Sequence, residues 1–107
     1  MQERREFQRF SRTYTVTFAV KDEQRVVHDM SRTVDISKGG LRFFTQENYD
    51  IGTNITMKIR FPFLSPDVTE LEGQVANTCK VGEIPVYTTG IRFVNLTPEA
   101  LAALERL

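Results

Sequence analysis

Residues 55–61 read Ile55-Thr56-Met57-Lys58-Ile59-Arg60-Phe61, with apolar and polar side chains in strict alternation. Successive side chains of an extended chain point to opposite faces. This period of two therefore puts the apolar groups on one face and the polar groups on the other, the mark of a half-buried strand. Residues 14–20 repeat the pattern, with Tyr14, Val16, Phe18 and Val20 alternating with Thr15, Thr17 and Ala19. Between these two strands the chain stays β-rich. KDEQ at 21–24 is a polar turn. Residues 25–36 are mixed but carry Val26, Val27, Met30, Thr33, Val34 and Ile36. Ser37-Lys38-Gly39-Gly40 is a turn signal, and residues 41–45 form a short strand. A loop containing Gly52 covers 48–54. Pro62 and Pro66 bracket a further loop. A strand resumes over 71–79, with Gly73 a bulge or a point of close approach. A turn at 80–85 leads to the last strand at 86–94. Six strands at regular spacing, with almost no helix, predict an all-β antiparallel barrel or sandwich.

The two ends depart from this pattern. Thr97-Pro98-Glu99 starts a helix, with a threonine N-cap, proline at the first helical position and an acid in the first turn. Leu101, Leu104 and Leu107 follow at helical spacing. Residues 1–12 lack alternation and are too polar for a core, so they are expected to lie over the barrel surface or to be mobile. The expected organisation is one domain over 1–107, with an N-terminal arm at 1–12, the β-body at 13–96 and a C-terminal helix at 97–107.

A chain of 107 residues accommodates one domain. Its 40% apolar and 26% charged content is that of a globular protein. No run of 18 apolar residues occurs, which excludes a transmembrane helix. The start, MQERREFQRF, is charged where a secretory signal needs an apolar stretch. A single cysteine, Cys79, excludes an internal disulfide framework and a cysteine-rich zinc site, and a single histidine, His28, excludes a multi-histidine metal centre. The expectation is a reduced, cytoplasmic domain without metal or cofactor.

The zero net charge hides an asymmetry. Residues 1–42 carry nine Lys/Arg against six Asp/Glu, and residues 43–107 carry five against eight. Ten of the fourteen basic residues are arginine, and Arg4, Arg5, Arg9 and Arg12 fall in the first twelve positions. A guanidinium presents a rigid fork of donors and a stackable plane, which suits phosphates and bases better than an ammonium does. On charge alone, a mobile, solvated terminus is the simpler account.

Catalysis is hard to build from this inventory. His28 sits between Val27 and Asp29 with no nucleophile motif beside it and reads as a rim residue. Cys79 reads as an ordinary strand cysteine. The common nucleotide loops are absent. Two segments stand out instead: Arg4-Arg5-Glu6-Phe7-Gln8-Arg9, and Asp35-Ile36-Ser37-Lys38-Gly39-Gly40. The second is a turn in which Asp and Ser make local hydrogen bonds and glycines take positive φ. Residues 35 and 37 share a strand face, so a carboxylate and a hydroxyl project side by side at the end of the β-body.

Together the segments resemble the PilZ domain, a bacterial receptor module for cyclic di-GMP (c-di-GMP). Its signature is R-x-x-x-R in an N-terminal arm followed by [DN]-x-S-x-x-G at a strand end. Arg5 and Arg9 match the first motif, with Arg4 as the frequent extra arginine. Asp35, Ser37 and Gly40 match the second. Gly90-Ile91-Arg92-Phe93-Val94-Asn95-Leu96 is similar to the family's closing strand, and a short helix follows, so the resemblance covers nearly the whole chain. It implies a six-stranded antiparallel β-barrel that binds c-di-GMP through Arg4, Arg5, Arg9, Asp35, Ser37 and Gly40. In that reading an arginine bridges guanine O6 and N7, stacks on a base or pairs with phosphate. Asp35 accepts from guanine N1–H and the 2-amino group. Ser37 bonds the ligand or fixes Asp35, and Gly39 and Gly40 allow close approach. The arm folds over the ligand and passes the signal to a downstream protein. On the central strand, where relatives often carry arginine or tryptophan, this chain offers Gln74 and Asn77. The resemblance implies a receptor, not an enzyme, with no nucleic-acid partner and no membrane insertion. Two alternatives are a PilZ-like adaptor working by protein contacts alone, and a small-barrel binder of single-stranded nucleic acid using Phe7 and Phe10 for stacking. The acidic remainder of the chain argues against the latter.

Overall fold

The computed structural model describes residues 13–21, 26–64 and 67–107. The arm expected at 1–12, and with it Arg4, Arg5 and Arg9, lies outside the described residues, as does most of the turn expected at 21–24. Six strands are described: β1 (Thr15–Lys21), β2 (Val26–Ile36), β3 (Gly40–Thr45), β4 (Asn54–Arg60), β5 (Val68–Lys80) and β6 (Tyr87–Val94). One helix, α1 (Pro98–Glu105), follows. All neighbouring strands are antiparallel, and the order β1-β2-β3-β6-β5-β4 closes where β4 pairs with β1. The open choice between barrel and sandwich resolves as a closed barrel, which leaves no strand edge unpaired among these six.

The alternation read from the sequence becomes the division between inside and outside. Val16, Phe18 and Val20 of β1 are buried, as are Ile55, Met57 and Ile59 of β4. The intervening residues of β4 are exposed throughout. Tyr14 and Phe61, just outside these strands, are buried against each other edge to face, with ring centroids 4.9 Å apart. Phe18 and Phe43 meet the same way across the interior at 4.7 Å. β5 begins at Val68, three residues earlier than the pattern predicts, because Val68 and Thr69 already pair with Arg60 and Ile59.

Two bulges break the period. In β2 the pairing passes from Thr33↔Phe43 to Asp35↔Arg42, so Val34 is an extra residue. Without it, a period of two would turn Asp35 inward and Ile36 outward. With it, Thr33 and Ile36, three positions apart, are both buried, and Asp35 stands on the outer surface. In β5 the extra residue is Ala76, between the pairs Val75↔Ile91 and Asn77↔Gly90. Gly73, expected as a bulge or a close approach, is the latter: a Cβ there would stand 2.2 Å from Ile91 Cγ2.

The helix starts as expected. Thr97 Oγ1 accepts from the Ala100 N–H at 3.0 Å, Pro98 opens the first turn, and Glu99 lies in it. Its buried face differs from the leucine pattern. Ala100, Ala103 and Leu104 are buried, Leu107 packs against the core, and Leu101 is exposed. Positions 100, 103, 104 and 107 form one helical stripe, and Leu101 sits about 100° round from it.

Candidate functional site

The site is built on the outer face of β2, β3, β6 and β5, beside the turn that joins β2 to β3. The turn is closed by its own atoms. The Ser37 N–H donates to the Gly40 carbonyl at 2.9 Å, and the Gly39 N–H donates to Ser37 Oγ at 3.3 Å. The Gly39 carbonyl accepts from the Phe93 N–H of β6 at 3.0 Å, which ties the turn to the closing strand. Ser37 therefore braces the turn. The expected positive φ at its glycines is not found: among described residues, positive φ occurs at Gly52, Gly82 and Asn95. Gly40 is required for another reason. A Cβ there would lie 2.0 Å from the Ile91 carbonyl oxygen, so only glycine lets β3 run this close to β6. At Gly39 an added Cβ meets nothing within 4 Å.

Because of the Val34 bulge, Asp35 stands outside the barrel and opposite Arg42. Arg42 Nε donates to Asp35 Oδ2 at 3.0 Å, and Arg42 Nη2 reaches the same oxygen. The hydrogen bond and the charge of Asp35 raise the Arg42 pKa above its ordinary value, so this guanidinium stays charged. The row continues across the sheet: Arg42 pairs with Gly90, and Gly90 pairs with Asn77. A Cβ on Gly90 would fall 2.5–3.0 Å from the Asn77 side-chain amide, so that amide lies over the bare glycine. A second row runs parallel to the first. Gly40 pairs with Arg92, Arg92 with Gln74, and Gln74 with Asn54. Arg92 Nη2 donates to Gln74 Oε1 at 2.9 Å, and Gln74 Nε2 donates to Asn54 Oδ1 at 3.2 Å, a relay that holds the guanidinium over the sheet.

Of the residues singled out from sequence, Asp35, Ser37 and Gly40 thus converge at one end of the outer face. Asp35 meets Arg42 there, and Ser37 and Gly40 are bound into the turn. Gln74 and Asn77 face the same surface. Two residues were missed, Arg42 and Arg92. The triplets Leu41-Arg42-Phe43 and Ile91-Arg92-Phe93 carry the signal, because alternation alone sends both arginines outward. Cys79 is an exposed free thiol paired with Thr88. Among the described residues no group of three His, Cys, Asp or Glu could hold a metal, and no helix is long and apolar enough to cross a membrane.

The strands and the site define a class: a small closed β-barrel whose outer face, not its interior, presents the chemistry. The model of the PilZ domain family matches residues 3–107, and the chain belongs to that family. Solved structures with the same fold include the Bacillus subtilis inhibitor of motility MotI/DgrA, at 16% identity and a TM-score of 0.72, covering 98% of this chain and 49% of that one. The PilZ domain of Escherichia coli YcgR, solved with c-di-GMP, matches at 17% identity and a TM-score of 0.65, covering 97% and 88%. The PilZ domain of CeSA from a cellulose-synthesizing bacterium matches at 15% and 0.63, covering 94% and 93%. The chain spans about half the length of MotI/DgrA and nearly the whole of the two isolated PilZ domains. No curated protein matches it by sequence.

Proposed function

We propose that this PilZ domain is a receptor for c-di-GMP, with Asp35 reading a guanine at the end of β2. The observation that carries the reading is the outward Asp35, delivered by the Val34 bulge and held by Arg42 beside the Ser37–Gly40 turn. A carboxylate accepts from N1–H and the 2-amino group of guanine, and adenine offers no such pair of donors. Arg42 orients the carboxylate through its two contacts to Oδ2. It and Arg92 supply donors that phosphate oxygens or guanine O6 and N7 accept. The YcgR domain solved with c-di-GMP shares the fold, which supports the ligand class.

Arg4, Arg5 and Arg9 complete the site in this proposal. Support comes from the direction of the chain where it joins the barrel. The Tyr14 N–H donates to Thr33 Oγ1 and the Tyr14 carbonyl accepts from the Thr33 N–H, both at 2.9 Å. This continues the antiparallel register set by Thr15↔Arg32, so each step back from Tyr14 is a step forward along β2. The described chain therefore starts alongside β2 at Thr33, two residues before Asp35. Closure of this arginine segment over the dinucleotide is the signal, read by a downstream protein. The domain binds and does not catalyse. The exposed free Cys79 suits work in the reducing cytoplasm.

Calorimetric titration of the chain and of Asp35→Ala with c-di-GMP tests the reading. The wild type should bind, and the variant, still folded, should lose most of the affinity. A wild type that gives no heat and no mobility change with c-di-GMP rejects the receptor role. Hydrogen exchange tests the arm: amides of residues 4–12 should exchange fast without ligand and be protected with it. Equal protection in both states rejects the closure.

A further inference from the structure

Two residues beyond Arg42 on the same outer face, the polar surface gives way to an apolar one. Phe44 of β3 is 44% exposed and Met30 of β2 is 66% exposed. Phe44 shares its face with Arg42, displaced about 6.8 Å along the strand. It pairs with Thr88, as Arg42 pairs with Gly90, so it belongs to the next row of the same surface. On β2, Arg32 and Met30 pair with Thr15 and Thr17, which makes threonine and arginine the immediate surroundings. Phe44, Met30, Thr13 and the exposed Arg32 line one open depression of about 490 Å³. Ser31 Oγ donates to the Phe44 carbonyl at 2.6 Å and holds the backbone beneath the ring.

We infer that this depression is a second nucleobase subsite, in which Phe44, flanked by Met30 and the Arg32 guanidinium, is the stacking platform for a purine ring of the guanine dinucleotide bound at Asp35. A phenyl ring and a guanidinium both stack on a purine face, and a thioether adds a polarisable edge. The size of the patch favours a base over a protein. One aromatic and one methionine among threonines and arginines fall far short of the roughly 800 Å² per partner of a stable protein interface. Continuity also favours it, because the platform begins one pleat from Arg42. The inference rests on the receptor reading above and adds where a second base goes. That base belongs to the same cyclic dinucleotide or to a second molecule stacked on the first. A molar ratio of one or of two in the titration separates these sources.

The chain contains no tryptophan, so F44W installs a single fluorescent reporter on the platform. On addition of c-di-GMP its emission should be quenched in step with the calorimetric isotherm. Phe44→Ala should bind c-di-GMP roughly ten- to a hundredfold more weakly. Its melting temperature should stay close to that of the wild type, because the ring is largely outside the core. Wild-type affinity in Phe44→Ala, or flat F44W emission while calorimetry registers binding, overturns the subsite and leaves the receptor reading standing. A wild type that fails to bind c-di-GMP takes down both.

Discussion

Gly40→Ala is the substitution whose consequence the backbone fixes most tightly. The added Cβ would stand 2.0 Å from the Ile91 carbonyl oxygen, 3.1 Å from its carbon and 3.4 Å from Arg92 Cα. All three are backbone atoms of β6, so no side chain can turn aside. The strands must part by roughly 1 Å, which spoils hydrogen bonds that weaken steeply beyond normal length. The exposed pair are Ser37 N–H to Gly40 O at 2.9 Å and Phe93 N–H to Gly39 O at 3.0 Å. Overpacking costs about 1–3 kcal/mol and each of the two lost bonds about 0.5–1.5 kcal/mol, so the total is about 2–6 kcal/mol. For a domain of this size that lowers the melting temperature by roughly 10 °C or more. Gly39→Ala is the control, because its Cβ enters open space and should change stability by less than about 0.5 kcal/mol. Thermal and urea unfolding followed by circular dichroism read both. A Gly40→Ala protein that melts within two or three degrees of the wild type, by the same scale, would refute the argument that this glycine exists for strand packing.

The other expected outcomes concern the site and its root. Asp35→Ala should cost less than about 1 kcal/mol of stability, as for a surface residue, while abolishing most c-di-GMP binding; Asp35→Asn, which keeps one acceptor, should retain part of it. Arg5→Ala and Arg9→Ala should each weaken binding by about one to two decades through lost charge-assisted hydrogen bonds, with the unliganded melting temperature unchanged. Calorimetry beside thermal melts checks all four variants, and full affinity in both arginine variants would place the site elsewhere. Thr33→Val strands the Tyr14 N–H, whose acceptor is the buried Thr33 hydroxyl, and should destabilise the domain by about 1–3 kcal/mol in urea unfolding.

The strands that could be read from sequence are those with one face wholly in the core. β1 and β4 keep the period of two from end to end, so composition alone places them. β2 reads as mixed because the Val34 bulge puts Thr33 and Ile36 on the same side, a spacing of three that breaks the strand period of two. The start of the helix is legible in sequence, but its buried face is less so, because Ala100 and Ala103 carry part of it and do not stand out beside leucines, of which Leu101 is exposed. Turn chemistry revealed Asp35, Ser37 and Gly40 as a local group. It misjudged why Gly40 is glycine, since the atom that excludes a side chain belongs to Ile91, fifty-one residues away in sequence. Arg42 and Arg92 escaped for the same reason. Their outward direction is local, but their partners, Asp35 for Arg42 and Gln74 for Arg92, are set by the pairing of β2 with β3 and of β6 with β5.

Selective recognition of guanine is the central claim, and a paired titration tests it most directly. The wild-type chain is titrated calorimetrically with c-di-GMP and with c-di-AMP at the same ionic strength. The two share their cyclic phosphate backbone, so phosphate contacts from arginine cannot tell them apart, whereas an Asp35 carboxylate facing N1–H and the 2-amino group can. Two lost hydrogen bonds to a charged acceptor, at about 1.5–3 kcal/mol each, predict that c-di-AMP binds at least a hundredfold more weakly or not detectably. Equal affinity for both would contradict the account, because binding would then rest on phosphate charge alone.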